Sequence, residues 1–506
     1  MKETTRIARG ASALFSSNLA SNIISYGFYI FIVHFLVVGS LGVLYSLNVV
    51  SGLLASFLLL QLPGGFGRFI TGRVQTGRMN EARYYFRSGL YFALAISAVS
   101  APTLVVLSPL IAKWLFGSSS HLGLVYLVIL DFVFYVFNSF LGLSLSSRRL
   151  FGRSSIIGVT SSAVRYGLGA VLILLGFGVA GVLYGWIASD ILFLVAYLRY
   201  AKPFLKGEKT KQNLKEVVSY SLPLFLAAGA VVVLQNVDRL FVLKYLGLVQ
   251  LGIYGSILIA ANIPKILPSS VGSALMPAII KFEDQDRLSP NIIMKSIRYI
   301  TMLTVPTLGL LAAVAKPVIR ILLGATFTPA WVSFSVLMLG SGAMSLDIPV
   351  TQVLSAKKKT KVLAVQQLVS SAVLAALAIL LIPKLYVTGA ALAYVLARIS
   401  GFAVTSRAVY KLGLLKVDLR DYAKTLAMTA AAMVPTLLVE VQLRFAWYLL
   451  PLFLLVGVAS AIVVEKFLKL FKDEDYEAVV DVFPSRIRWL VSAIWKKLRL
   501  PVPAYT

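Results

Sequence analysis

Ionisable side chains fall inside long apolar stretches of this 506-residue chain, among them Asp131, Arg165, Asp190, Asp238, Arg239, Lys244, Lys265, Asp347 and Arg398. Left facing hydrocarbon at the centre of a bilayer, each would cost about 2.5–3.5 kcal/mol, so each must face a partner or water. The chemistry open to them is attraction of charge. There is no Walker loop, HExxH, paired-carboxylate motif or histidine cluster, and His34 and His121, the only two histidines, stand apart. The absence of cysteine excludes disulfides, thiolate metal sites and cysteine nucleophiles. No metal, cofactor or enzymatic activity is therefore expected.

Spacing sorts these residues. Asn18 and Asn22, four apart, make a polar stripe on an otherwise apolar helix. Gln235, Asn236, Asp238 and Arg239 share one stretch, and Asn262 and Lys265 another, with Pro264 and Pro268 beside them. Prolines free backbone carbonyls, which membrane helices tolerate where neighbours or cavity water satisfy them. One reading is a wet, cationic cavity that binds an anion through Asn18, Asn22, Asp238, Arg239, Asn262, Lys265 and Arg398. The other is that these groups satisfy one another as glue between helices. Arg165 and Asp190 lie at the same depth of adjacent spans and are expected to form a structural ion pair. Lys244, near a helix end, can snorkel to the headgroups.

The elements that must carry these residues are membrane helices. Hydrophobic residues make up 59% of the chain and charged residues 13%, half of what a soluble domain carries. With about 20 apolar residues needed to cross the hydrocarbon core, fourteen spans are expected: 12–37, 41–62, 88–112, 122–147, 154–176, 179–198, 217–245, 250–280, 293–315, 329–356, 362–383, 386–410, 421–443 and 446–468. The expected fold is an all-α polytopic membrane protein.

A repeat organises these spans. LGVLY at 41 returns as LGIY at 251, WLFG at 114 as ILLG at 321, SSRR at 146 as SAKK at 355, SSAV at 161 as SSAV at 370, and Gly181 answers to Gly389. The order implies two six-helix lobes, 1–200 and 217–411, joined by a linker at 201–216. Helices 13 and 14 follow at 412–469 and a tail at 470–506. Six is even, so both lobes start from the same side and their axis lies along the membrane normal. Internal repeats in a membrane protein point to transport by rocking one lobe against the other.

The net charge of +28 marks a side of the membrane rather than nucleic-acid binding. Of the 48 Lys and Arg, only Lys113, Lys316, Arg320, Lys384 and Arg444 fall in the loops opposite to the basic set. This places both termini in the cytoplasm, with the basic loops also meeting anionic lipid. No cleavable signal peptide is evident. Residues 484–499 have an amphipathic pattern suited to a surface helix that anchors to lipid or docks a partner. Pro63, Gly64, Gly65, Gly67 and Arg68 either end span two or form a hinge at its inner end.

With fourteen spans, a six-plus-six parallel repeat and the stretch 236–280, the chain resembles the multidrug/oligosaccharidyl-lipid/polysaccharide exporter superfamily, and within it the polysaccharide-exporter branch. The features that carry the resemblance are Asp238, Gly252 and Tyr254 opening span eight, Pro277, and ILLG before span ten. It implies a flippase that carries lipid-linked oligosaccharide, on a polyprenyl or dolichyl phosphate or pyrophosphate, from the inner to the outer leaflet of the plasma membrane for cell-surface polysaccharide or glycoprotein assembly. The anionic phosphate would meet Arg239 and Lys265, with Arg398 a third candidate unless it neutralises an acid on a neighbouring helix. A sodium ion or proton could drive the cycle. The alternative within the superfamily is ion-coupled multidrug export, which typically uses an acidic residue in the first helix. Span one has none. Peptidoglycan-precursor transport is disfavoured because charges early in helix one are missing. A membrane glycosyltransferase or ligase would need catalytic acids on sizeable loops, and the outer loops are short.

Overall fold

A computed structural model describes residues 2–266, 290–415, 419–443 and 447–468, with Ile279 and Trp489. Among the described residues there are helices, turns and no strand. Backbone polar groups in lipid must be satisfied within the segment itself, and a helix does this. Eleven helices among the described residues are long and apolar enough to cross a membrane. Three of the fourteen expected spans are not separate members of that set. Span one lies on α1 (Lys2–Phe35), where Asn18, Asn22 and His34 lower the hydropathy. Spans seven and eight share α9 (Leu214–Asn262), and spans eleven and twelve share α14 (Thr360–Lys411).

Both shared helices are hairpins. α9 breaks at Gly247, whose φ of 82° and ψ of −176° only glycine adopts without strain. Its limbs fold back, since Tyr254 reaches Asp238 at 2.6 Å. In a straight helix those residues would be about 24 Å apart. α14 breaks at Tyr386, with φ 51° and ψ −134°. There a Cβ on Gly389 would lie against Leu381 and 3.0 Å from the Ile382 nitrogen. The first repeat builds its counterpart from two helices, α7 (Phe151–Leu174) and α8 (Gly178–Leu205), where a Cβ on Gly181 would sit 2.9 Å from Leu172 and 3.3 Å from the Ile173 nitrogen. The glycine correspondence read from the sequence is thus the same tight hairpin made twice.

The chain groups into two compact units, residues 1–260 with 371–393, and residues 261–370 with 394–506. The first unit therefore includes α9 up to residue 260, beyond the first repeat. In it α1 packs on α7, α7 on α8, and α5 (Leu122–Leu141) on both α8 and α4 (Met79–Phe116). α2 (Val38–Leu58) ends before the Pro-Gly run. The break falls at Leu60 and Gln61, both left-handed, and Pro63 and its glycines lie within α3 (Leu62–Gln75).

Basic residues of this unit do more than mark a side. Arg83 Nε donates to Pro203 O at 3.0 Å, Arg87 Nε to Phe204 O at 3.1 Å, and an Arg148 terminal nitrogen to Tyr200 O at 2.6 Å. Pro203 and Phe204 carry two of the last carbonyls of α8, which have no partner within the helix, and cations suit that negative end. Burial, with Arg153 beside it, pushes the Arg148 guanidinium below its usual range.

In the second unit α10 (Pro290–Ala313) packs on α15 (Leu419–Gln442) and on α12 (Trp331–Met344), and α15 packs on α16 (Leu450–Leu468). A core of Ile293, Ile297, Val350, Val353, Leu354 and Val409 ties α10, α13 (Asp347–Ala356) and the end of α14 together. Pro268, Pro277 and the amphipathic tail lie outside the described residues, apart from Trp489.

Candidate functional site

The sequence-derived candidates fall into two groups, one in each unit. In the first unit Asn18 and Asn22 are exposed on α1. The neighbouring Ser21 and Ser25 turn to α7 instead, where Ser162 Oγ donates to Ser21 Oγ at 3.1 Å and Ser25 Oγ to Tyr166 Oη at 3.1 Å. The asparagine stripe is therefore among the parts of this helix that packing leaves open.

Asp238 and Arg239 are adjacent in sequence and differ in role. Asp238 is buried, with Oδ2 accepting the Tyr254 hydroxyl at 2.6 Å and Oδ1 the Arg239 backbone N–H at 2.9 Å. It pins the α9 hairpin shut. Among the described residues Arg239, which is half-buried, makes no ion pair, and its Nε is buried without a hydrogen-bond partner. A desolvated guanidinium N–H left unsatisfied is costly, and an anion would complete it.

Arg165 and Asp190 do not form the expected ion pair. The Arg165 guanidinium stacks over the Trp186 ring at 4.5 Å, within electrostatic reach of Asp190 and Asp131. The two helices bring the residues within that reach, but Trp186, one turn from Asp190 on α8, offers a flat face that suits the planar guanidinium. Asp131 and Asp190, 3% and 4% exposed, each keep one carboxylate oxygen without a partner. Between α5 and α8, Asn138 donates its amide to Asp190 O at 2.9 Å and leaves its own carbonyl oxygen unpartnered. Sequence reading listed Asp131 without a role. Asn138, seven residues on, was the available signal, since i and i+7 share a helix face.

In the second unit, α9 ends at Asn262 and the chain turns through Ile263 and Pro264, with Lys265 N–H bonding back to Asn262 O at 3.2 Å. Irregular backbone at membrane depth belongs where protein buries it or water reaches it. Lys265 is half-buried, has no ion pair among the described residues, and sits 5.5 Å from the centre of the Tyr394 ring. Arg398, one turn past Tyr394, acts electrostatically on Asp347, whose carboxylate also accepts Gln366 Nε2 and Thr405 Oγ1, both at 2.8 Å. This matches the alternative in which Arg398 balances an acid. Among the described residues no group of three or more His, Asp or Glu is placed to hold a metal ion.

A family model described as "Polysaccharide biosynthesis protein" matches residues 50–332, more than half of the chain. The chain belongs to that family. No curated protein matches this member in sequence. Solved structures match its fold. The lipid II flippase MurJ in an inward closed conformation is 14% identical with a TM-score of 0.66, covering 90% of this chain and 98% of that one. An inward-facing multidrug resistance MATE family transporter of the MOP superfamily is 14% identical with a TM-score of 0.62, covering 80% and 100%. VcmN, a Vibrio cholerae MATE transporter, is 12% identical with a TM-score of 0.56, covering 80% and 98%. This member of the polysaccharide biosynthesis family is therefore a multi-pass membrane protein with the fold of the multidrug/oligosaccharidyl-lipid/polysaccharide exporter superfamily.

Proposed function

We propose that this protein flips a lipid-linked oligosaccharide, carried on a polyprenyl or dolichyl phosphate or pyrophosphate, from the inner to the outer leaflet by alternating access. It would do so in the plasma membrane, with both termini in the cytoplasm, as a transporter and not an enzyme. The observation that carries this reading is Arg239, a half-buried cation within a membrane helix whose Nε is buried and unpartnered. In a family tied to polysaccharide biosynthesis, a phosphate on a glycan carrier is the anion that suits it. Lys265, at a helix break and with no ion pair among the described residues, is a further cation, in the second unit. Asn18 and Asn22 offer exposed amides for saccharide hydroxyls.

A coupling cation, sodium or a proton, suits the unpartnered oxygens of Asp131 and Asp190, two acids that act on one another electrostatically. These are hard oxygen donors in a buried setting, which need positive charge to be stable. Native mass spectrometry of the purified protein tests the substrate class. A co-purifying phosphorylated polyprenyl or dolichyl saccharide supports the reading, and loss of that lipid in Arg239→Ala ties it to the guanidinium. A bound organic cation in its place would overturn it in favour of multidrug export.

A further inference from the structure

Equivalent residues of the two repeats meet at one crossing inside the first unit. The start of α2 packs on the start of the second limb of α9: Gly42 faces Leu248, Gly252 faces Val38 and Gly42, and Gly39 faces Val249. In the repeat, Val38 is equivalent to Leu248, Gly39 to Val249 and Gly42 to Gly252. A Cβ on Gly42 would overlap the Leu248 carbonyl oxygen and lie 2.7 Å from its carbonyl carbon. Reciprocally, a Cβ on Gly252 would overlap the Val38 carbonyl oxygen and lie 3.1 Å from the Gly42 nitrogen. Each glycine thus turns an α-hydrogen to the other helix's carbonyl, the weak Cα–H···O contact that recurs where small residues let membrane helices approach.

One turn further in, the Tyr45 ring occupies the space a side chain at Gly255 would need, and its hydroxyl lies 3.1 Å from Ser256 Oγ. Leu41, Leu44, Leu47, Leu251 and Ile257 around the crossing are fully buried. The helix ends that cross are those remote from the basic loops, hence outer ends in the proposed topology.

We infer that this reciprocal glycine crossing is the outer gate in its closed state, an inference that rests on the alternating-access reading. No side chain stands between the two backbones, so the contact cannot loosen by rotamer change. It is made or it is broken, and breaking it opens a path from outside to Tyr45, Ser46 and Ser256. Because the contact is reciprocal, a Cβ at either glycine should hold the gate open to the same extent.

The chain has no cysteine, so Ser46→Cys gives a single buried reporter beneath the crossing, read by an impermeant maleimide added outside intact cells. The parent should label slowly. Gly42→Val and Gly252→Val should each speed labelling about tenfold or more, and by similar factors. Tyr45→Phe, which keeps the ring and removes the hydroxyl's bond to Ser256, should speed it about two- to threefold. Gly309→Val is the folding control, because Gly309 is also crowded, against the Thr429 side chain and 3.2 Å from Met433, in the second unit. It should leave the reporter protected. Unchanged labelling in both gate-glycine variants, or equal labelling in Gly309→Val, would overturn the gate. Labelling reads the gate whatever is carried. A parent that moves no lipid-linked saccharide yet shows the glycine effect refutes the transport reading and keeps the gate.

Discussion

Asp238 on α9 and Asp190 on α8 are buried alike, at 1% and 4% exposure, and are held in opposite ways. Asp238 has a donor for each oxygen, the Tyr254 hydroxyl and the Arg239 N–H, and both come from its own hairpin. Asp190 has an oxygen with no donor, shares its surroundings with another acid, Asp131, and faces an arginine that stacks on tryptophan instead of bonding to it. Burial therefore does not distinguish these two acids. Satisfaction does. A carboxylate closed off by local donors works as a fastener, whereas one left incomplete can exchange a partner during a cycle.

The comparison predicts stability and transport effects that separate cleanly. The largest loss of stability is expected at the fastener: Asp238→Ala removes the buried acceptor of the Tyr254 hydroxyl bond and costs about 1–3 kcal/mol. Tyr254→Phe, which removes one short bond to a carboxylate, should cost about 1.5–3 kcal/mol. Thermal unfolding in detergent should show both, and an unchanged midpoint for both would refute the fastener. Next come Arg239→Ala and Lys265→Ala, which should lower flipping by tenfold or more, about 1.4 kcal/mol in barrier terms, while leaving the unfolding midpoint near the parent's. If they unfold as readily as Asp238→Ala, these cations are structural. Arg165→Ala should cost about 0.5–2 kcal/mol of stability, the range of a guanidinium over an aromatic face. Arg165→Lys should recover little of it, because an ammonium cannot stack as a plane. The smallest stability change should belong to Asp131→Asn and Asp190→Asn. Removing an unpaired charge from a buried site leaves the midpoint unchanged or higher, while transport in vesicles loses its dependence on an imposed sodium or proton gradient. A fall in midpoint as large as that of Asp238→Ala would erase the distinction drawn here.

How much of this was legible in the sequence follows the range of each interaction. Apolar run length placed the helices, and the recurrence of LGVLY as LGIY placed the two segments that turn out to pack on one another. The glycine pair Gly181 and Gly389 marked two copies of one hairpin. Partners were harder to read. The Tyr254–Asp238 bond depends on the reversal at Gly247, and nothing in the spacing of 16 residues suggests contact until that turn is known. Arg165 does lie within electrostatic reach of Asp190, but depth along two helices does not say which way a long side chain leans, and Trp186 lies one turn before Asp190. The end of α2 was expected at the Pro63–Gly67 run. It comes earlier, at Leu60 and Gln61, two residues that carry no turn signature and are held left-handed by the fold around them.

The Gly42–Gly252 crossing also bears on descent. An interface in which the same patch serves both sides, Val38 to Gly252 as Leu248 to Gly42, is isologous, the form two identical subunits take about a two-fold axis. Here both halves lie on one chain, and the residues at the contact still keep their registration. A half-length polypeptide bearing the LG-VLYS segment would already carry a self-complementary face able to pair it with its own copy in a membrane. Fusion of two such halves would then have preserved an association that existed before the chains were joined. The sequence between the contacts was free to diverge, while the glycines at the axis had to stay glycine in both copies at once.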